Sequence, residues 1–156
     1  MTKIIEALTR LQKTRQLSFY NRPEVMDVLK PIITNHEYLA QAPPSYISSL
    51  AYTTMKMKIK DEEIWFSLSD YLMKNHEEMT VRDIGQYLLA LYHASKHSPI
   101  TMDFSDEFTA LELPIIKKFD ESEKIDLISL TQILNAFGKS YIGMKNCMIF
   151  ISFRLS

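Results

Sequence analysis

Apolar residues recur three and four apart over most of this chain, with polar residues between them, which is the spacing that lays one apolar stripe along a helix. Ile64, Trp65, Leu68, Tyr71 and Leu72 follow it, as do Ile84, Tyr87, Leu88 and Leu91. No period-two alternation of useful length precedes the C-terminus, so the pattern predicts an all-α fold. Breakers and capping residues set the bounds. The first helix is expected near 2–16, with Thr2 as its cap. A second begins near Pro23, where a proline costs nothing in the first turn, and runs to about Ala40 with a kink at Pro31. After Pro43-Pro44, Ser45 opens a third through Met57. Asp61-Glu62-Glu63 opens a fourth ending near Asn75, and Thr80 a fifth to about Ser95. Beyond a loop at 97–103, Ser105 opens the sixth and Ser122 the seventh, which ends at Gly138 as a C-cap. The tail from Met144 reads as a short capping helix or an extended arm.

These helices repeat in pairs. Val28-Leu29-Lys30-Pro31-Ile32-Ile33 lies over Leu111-Glu112-Leu113-Pro114-Ile115-Ile116 at a shift of 83, with Tyr71-Leu72 between them, 39 after the first pair and 44 before the last. A second set places Met79–Leu91 over Ile125–Phe137 at a shift of 46, with Tyr46–Tyr52 lying 38 before the middle copy. The two sets of shifts agree to within two residues, as they must if hairpins of about forty residues recur. The expected architecture is one domain over 1–156. It comprises a basic amphipathic helix at 1–22, a short α-solenoid of about three helical-hairpin repeats at 23–60, 61–100 and 101–141, and a C-terminal tail at 142–156. Each hairpin of such an array is apolar on two sides and is covered only by its neighbours. Truncating Leu88 or Leu134 to alanine is therefore expected to cost about 2–5 kcal/mol each.

A chain of 156 residues with 46% hydrophobic and 24% charged residues can bury a sizeable core. Its net charge of −1 gives no global field to attract phosphate backbones. Three glycines are too few for the glycine-rich loops that cradle nucleotides. No apolar run approaches the ~18–20 residues of a membrane span. The first 23 residues hold Lys3, Arg10, Lys13, Arg15 and Arg22 against one acid, Glu6, with Ile4, Ile5, Leu8 and Leu11 on one helix face. That is the composition of a mitochondrial targeting helix, here a retained one, or of a structural helix with a basic outer face. The expected location is mitochondrial, otherwise cytoplasmic.

Candidate chemistry is sparse. His93 and His97 stand one helical turn apart, as a zinc site on one helix requires, but no further ligands follow at recognisable spacing, and surface histidines are the simpler reading. His76-Glu77-Glu78 falls between two helices. The acidic groups at 61–63, 103–107 and 120–123 lack the glycine of a calcium loop and read as helix starts. Cys147, the single cysteine, excludes an internal disulfide, and its apolar neighbours raise a thiol pKa. No catalytic residue, metal or cofactor is expected. The remaining candidate is electrostatic: Lys56, Lys58 and Lys60 follow the third helix, Lys117 and Lys118 end the sixth, and Lys139 follows the seventh. Stacked in an array, with Tyr52 and Tyr141 nearby, they would form a stripe able to track single-stranded RNA. In the apolar tail, Met148, Phe150 and Phe153 are the candidate contacts to a protein partner.

The alternating segments, with Ala51, Ala90 and Ala136 centred in Tyr46–Tyr52, Tyr87–Leu91 and Gln132–Phe137, resemble the degenerate helical hairpins of organellar FAST-kinase-like and octotricopeptide or heptatricopeptide proteins. The likeness spans most of 23–140. It implies either an accessory subunit of a mitochondrial assembly, such as a ribosome or respiratory complex, or a factor in mitochondrial RNA metabolism. The short chain and the lack of a recognisable RAP-type domain turn the expectation toward a non-catalytic structural subunit, with RNA binding as the alternative.

Overall fold

The computed structural model describes residues 23–97, 102–121 and 126–140, and these are helical with no strand among them. Seven helices follow in order: α1 (Pro23–Ile33), α2 (His36–Ala40), α3 (Pro44–Lys56), α4 (Glu62–Asn75), α5 (Val81–His97), α6 (Ser105–Glu121) and α7 (Leu127–Ser140). The expected helix at 2–16 and the tail at 142–156 lie outside the described residues.

Three of the expected helices differ at their boundaries from the sequence reading. The second helix does not continue through a kink at Pro31 to Ala40 but ends at Ile33, because the Asn35 side chain accepts the N–H groups of Glu37 and Tyr38 and so starts a new helix. Ser45 does not cap α3: Pro43 holds that position and Pro44 occupies the first turn. The last helix starts at Leu127, capped by Asp126, and passes through Gly138, which has no positive φ and so is no C-cap.

The helices form two rows. In one, α5 lies between α3 and α7, and these are the most extensive helix pairs among the described residues. All three point the same way. The Ser48 hydroxyl near the start of α3 donates to the carbonyl of Asp83 near the start of α5 (2.7 Å), and the backbone of Gly85 meets Ser129 near the start of α7. In the other row, α1 and α2 run beside α4, tied by Lys30 to Asp61 (3.0 Å) and Glu63 (2.7 Å) and by His36 to Asp70 (3.7 Å). Helix α6 runs on the far side of α4, joined through Phe66 against Phe104 and Ser69 to Glu107. The rows are antiparallel and share a core. Across it the hydroxyl of Tyr71 donates to the carbonyl of Ala42, that of Tyr87 to Leu68, and the indole of Trp65 to Ile59. Burial pushes the Tyr87 hydroxyl well above its ordinary pKa and keeps it neutral.

Burial recurs at the shift of 46 between α5 and α7. Asp83, Ile84, Tyr87, Ala90 and Leu91 of α5 are buried, and so are Ser129, Leu130, Ile133, Ala136 and Phe137, each 46 positions later. The caps obey the same shift with their chemistry exchanged. In α5 the Thr80 hydroxyl donates to the Asp83 carboxylate (2.6 Å) and accepts the Asp83 N–H, while in α7 the Ser129 hydroxyl donates to the Asp126 carboxylate (2.7 Å), which also accepts the Ser129 N–H. Two other registers move by one. Ile47, Leu50, Thr53 and Thr54 are buried like Ile84, Tyr87, Ala90 and Leu91, a shift of 37 and not 38. Leu29 and Ile33 match Leu68 and Leu72, as expected, but then Leu111 and Ile115, a shift of 82 and not 83. Pro31 and Pro114 are therefore not equivalent, since the buried face is offset by one residue from the prolines.

At the shift of 37, Ser48 corresponds to Gly85. The Ser48 hydroxyl meets Asp83 and, at 3.4 Å, the Gln86 side-chain oxygen. Gly85 faces the equivalent groups, Ser129 and Gln132, and the Gln132 Oε1 is buried with no hydrogen-bond partner. A Cβ at Gly85 would stand 3.2 Å from both the Ser129 carbonyl and the Ile133 side chain. Gly85→Val is expected to destabilise by about 1–3 kcal/mol through overpacking against backbone. Gly85→Ser should be the better tolerated, above Gly85→Ala, since its hydroxyl can reach the unpaired oxygen. Urea midpoints placing serine below alanine would refute the equivalence.

Candidate binding cleft

The basic residues do not form one stripe. Lys56, Lys58 and Lys60 lie where α3 ends, beside His93 and Ala94 near the end of α5. Lys118 instead donates to the carbonyl of Glu77 (2.7 Å), just before α5 begins, and Lys117 approaches Glu121 on its own helix (3.9 Å). The two groups are roughly 20 Å apart along α5, at about 1.5 Å rise per residue. Lys56 ends a helix of one row and Lys117 a helix of the other; because the rows are antiparallel, the ends that look alike in sequence lie at opposite poles. The side chains of His97 and Lys139 are outside the described residues, as are Tyr141, Cys147, Met148, Phe150 and Phe153.

Several other polar candidates are committed to local structure, while the Oε1 of Glu62 is buried without a hydrogen-bond partner. The ring nitrogen of His76 is 2.9 Å from the carbonyl of Met73. Asp61 caps α4 through the N–H of Ile64 (3.2 Å). Asp103 accepts hydrogen bonds from the Ser105 hydroxyl and N–H, which hold its carboxyl below the ordinary range. His93 packs edge-on to Tyr92 (5.2 Å between rings), and among the described residues no three His, Cys, Asp or Glu side chains converge as a metal site would need. No described helix is long and apolar enough to cross a membrane.

The lysine cluster is built on a defined turn. Helix α3 stops with the N–H of Lys58 bonded to the carbonyl of Met55 (2.9 Å) and that of Ile59 to Thr54 (3.3 Å), a Schellman arrangement that puts Lys58 at φ 56°. Glycine normally fills this left-handed position. The turn buries Ile59 against the start of α4, where the Trp65 indole N–H donates to the Ile59 carbonyl (2.8 Å) and Trp65 is 1% exposed. Between these elements and α5 lies a cleft of about 390 Å³. Met55, Ile59, Trp65 and Ala94 give it an apolar floor; the three exposed lysines and half-buried His93 stand around it. Among the described residues no carboxylate lines it. The nearby acids Asp61 and Glu63 are drawn to Lys30 on α1. The Lys56 ammonium rests over the Tyr52 ring, 5.2 Å from its centre.

Sequence reading singled out the three lysines but not Trp65, Ile59 or His93 as their company. A visible signal was the missing glycine after α3. Compared with protein-family models, with curated proteins and with solved structures, the chain finds no match in any of the three.

Proposed function

We propose that this chain is a non-catalytic helical scaffold, a short α-solenoid of about three hairpin repeats that serves as an accessory subunit of a larger mitochondrial protein complex. The observation that carries this reading is the recurrence, 46 positions apart, of one buried face and one cap between α5 and α7. Repeats stacked in this way leave an end at each side of the row, and ends are where such arrays meet neighbours. Leu127 and Ile128, at the start of the outer helix α7, are 70% and 59% exposed, while Leu113 on α6 is 70% exposed. Adjacent exposed aliphatics at the end of a row suit a protein contact better than solvent. The mitochondrial placement rests on the arginine-rich, acid-poor composition of residues 1–22, and the non-catalytic reading on the local roles of the polar candidates.

RNA binding stands behind this reading because the lysines that would form its track divide between opposite poles, one group already bonded to Glu77 and Glu121. Native electrophoresis of the endogenous protein, with mass spectrometry of the band, is expected to find it in an assembly well above its own 18.2 kDa. A stable, monodisperse monomer at that mass would overturn the proposal.

A further inference from the structure

We infer that the cleft at the ends of α3 and α5 receives a short acidic segment of a protein partner, its carboxylates on Lys56, Lys58 and Lys60 and one apolar side chain on the floor beneath. The inference rests on the scaffold reading and names the chemistry of its partner.

Charge complementarity selects the occupant. Three exposed ammonium groups surround one cleft whose lining, among the described residues, has no carboxylate, and Asp61 and Glu63, which follow in sequence, turn to Lys30 instead. The floor is apolar and rigid: Trp65 is pinned by its bond to Ile59, and Ile59 is 4% exposed. A volume of about 390 Å³ suits one large side chain with its adjoining backbone. Lys58 adds an independent sign. A residue held at φ 56° would relieve backbone strain as glycine, so a lysine there points to a use for its side chain. A nucleic acid is a poorer match. Its successive phosphates need an extended track, and its bases need open aromatic faces. Here Trp65 is buried and Tyr52 lies under Lys56.

Trp65 is the only tryptophan of the chain, so its emission reports from the cleft itself. The probe is a peptide of four glutamates around one phenylalanine, titrated into the full chain. The controls are the same peptide with glutamine for each glutamate, and a twelve-residue oligouridylate. The expected result is a saturable change in Trp65 emission with the acidic peptide, at least tenfold weaker with the glutamine peptide. Lys58→Gly, which keeps the turn and removes only the side chain, should weaken binding about fivefold with the thermal midpoint unchanged or raised. Lys56→Glu with Lys60→Glu should abolish it. No emission change, equal response to both peptides, wild-type binding by Lys58→Gly, or tighter binding of the oligouridylate would each overturn the inference. If binding fails while the protein still migrates in a large assembly, the cleft assignment falls and the scaffold reading stands.

Discussion

Truncating Trp65 to alanine is expected to lower the unfolding free energy by about 3–5 kcal/mol, at the upper end of what one buried side chain contributes. Two causes add. The indole is 1% exposed at the junction of α3, α4 and α5, so its removal leaves a void that three helices cannot close together. Its N–H also donates to the Ile59 carbonyl at 2.8 Å, and Ile59 is itself buried, so that oxygen is left without its partner. Trp65→Phe separates the causes: it keeps most of the apolar volume, loses the donor, and should cost about 1–3 kcal/mol. Urea unfolding followed by far-ultraviolet circular dichroism measures both, since the fluorescent group is gone. A loss below about 1 kcal/mol for the alanine variant would mean the indole is not a packed wall of the core.

The second expected result concerns register. Leu88 and Leu134 occupy equivalent places at the shift of 46, and sequence alone predicts the same cost for both. The structure separates them. Leu88 is fully buried on α5, which has α3 on one side and α7 on the other. Leu134 is only half-buried, because among the described residues α7 has a helix of its row on one side alone. Leu88→Ala should therefore cost about 2–5 kcal/mol, and Leu134→Ala about 1–2 kcal/mol. Equal losses at the two positions would mean that α7 is covered as thoroughly as α5. A loss below about 1 kcal/mol at Leu88 would break the register itself.

Much of this fold could be read from residues close together in the chain. Asp61, Thr80 and the acid-rich start of α6 announce helices because capping acts within three or four residues. The shift of 46 is legible in the apolar pattern that both copies carry; the matching cap is not, because Ser122 stands out as the helix opener, and only the structure shows threonine–aspartate exchanged for aspartate–serine with the geometry intact. The shifts of 38 and 83 were each one residue off. In α3 the buried face includes Thr53 as well as Ser48 and Thr54, and the last two do not look like core until a neighbouring backbone carbonyl takes the Ser48 hydroxyl and the helix's own carbonyl that of Thr54. In α1 and α6 the conspicuous prolines pulled the alignment away from the buried leucines and isoleucines. The break at Asn35 is hidden in the sequence because the proline four residues earlier is the more conspicuous interruption, while the cap that makes the break is a single side chain.

The sequence by itself determined that the chain is helical, where most helices start, and that one face recurs from α5 to α7, because periodicity and capping are decided within a few turns of backbone. Only the tertiary structure decided which lysines share a surface. Antiparallel rows carry Lys56, Lys58 and Lys60 to one pole beside Trp65 and His93, and Lys117 and Lys118 to the other. Helix direction and side-by-side packing, which no local spacing encodes, set that separation.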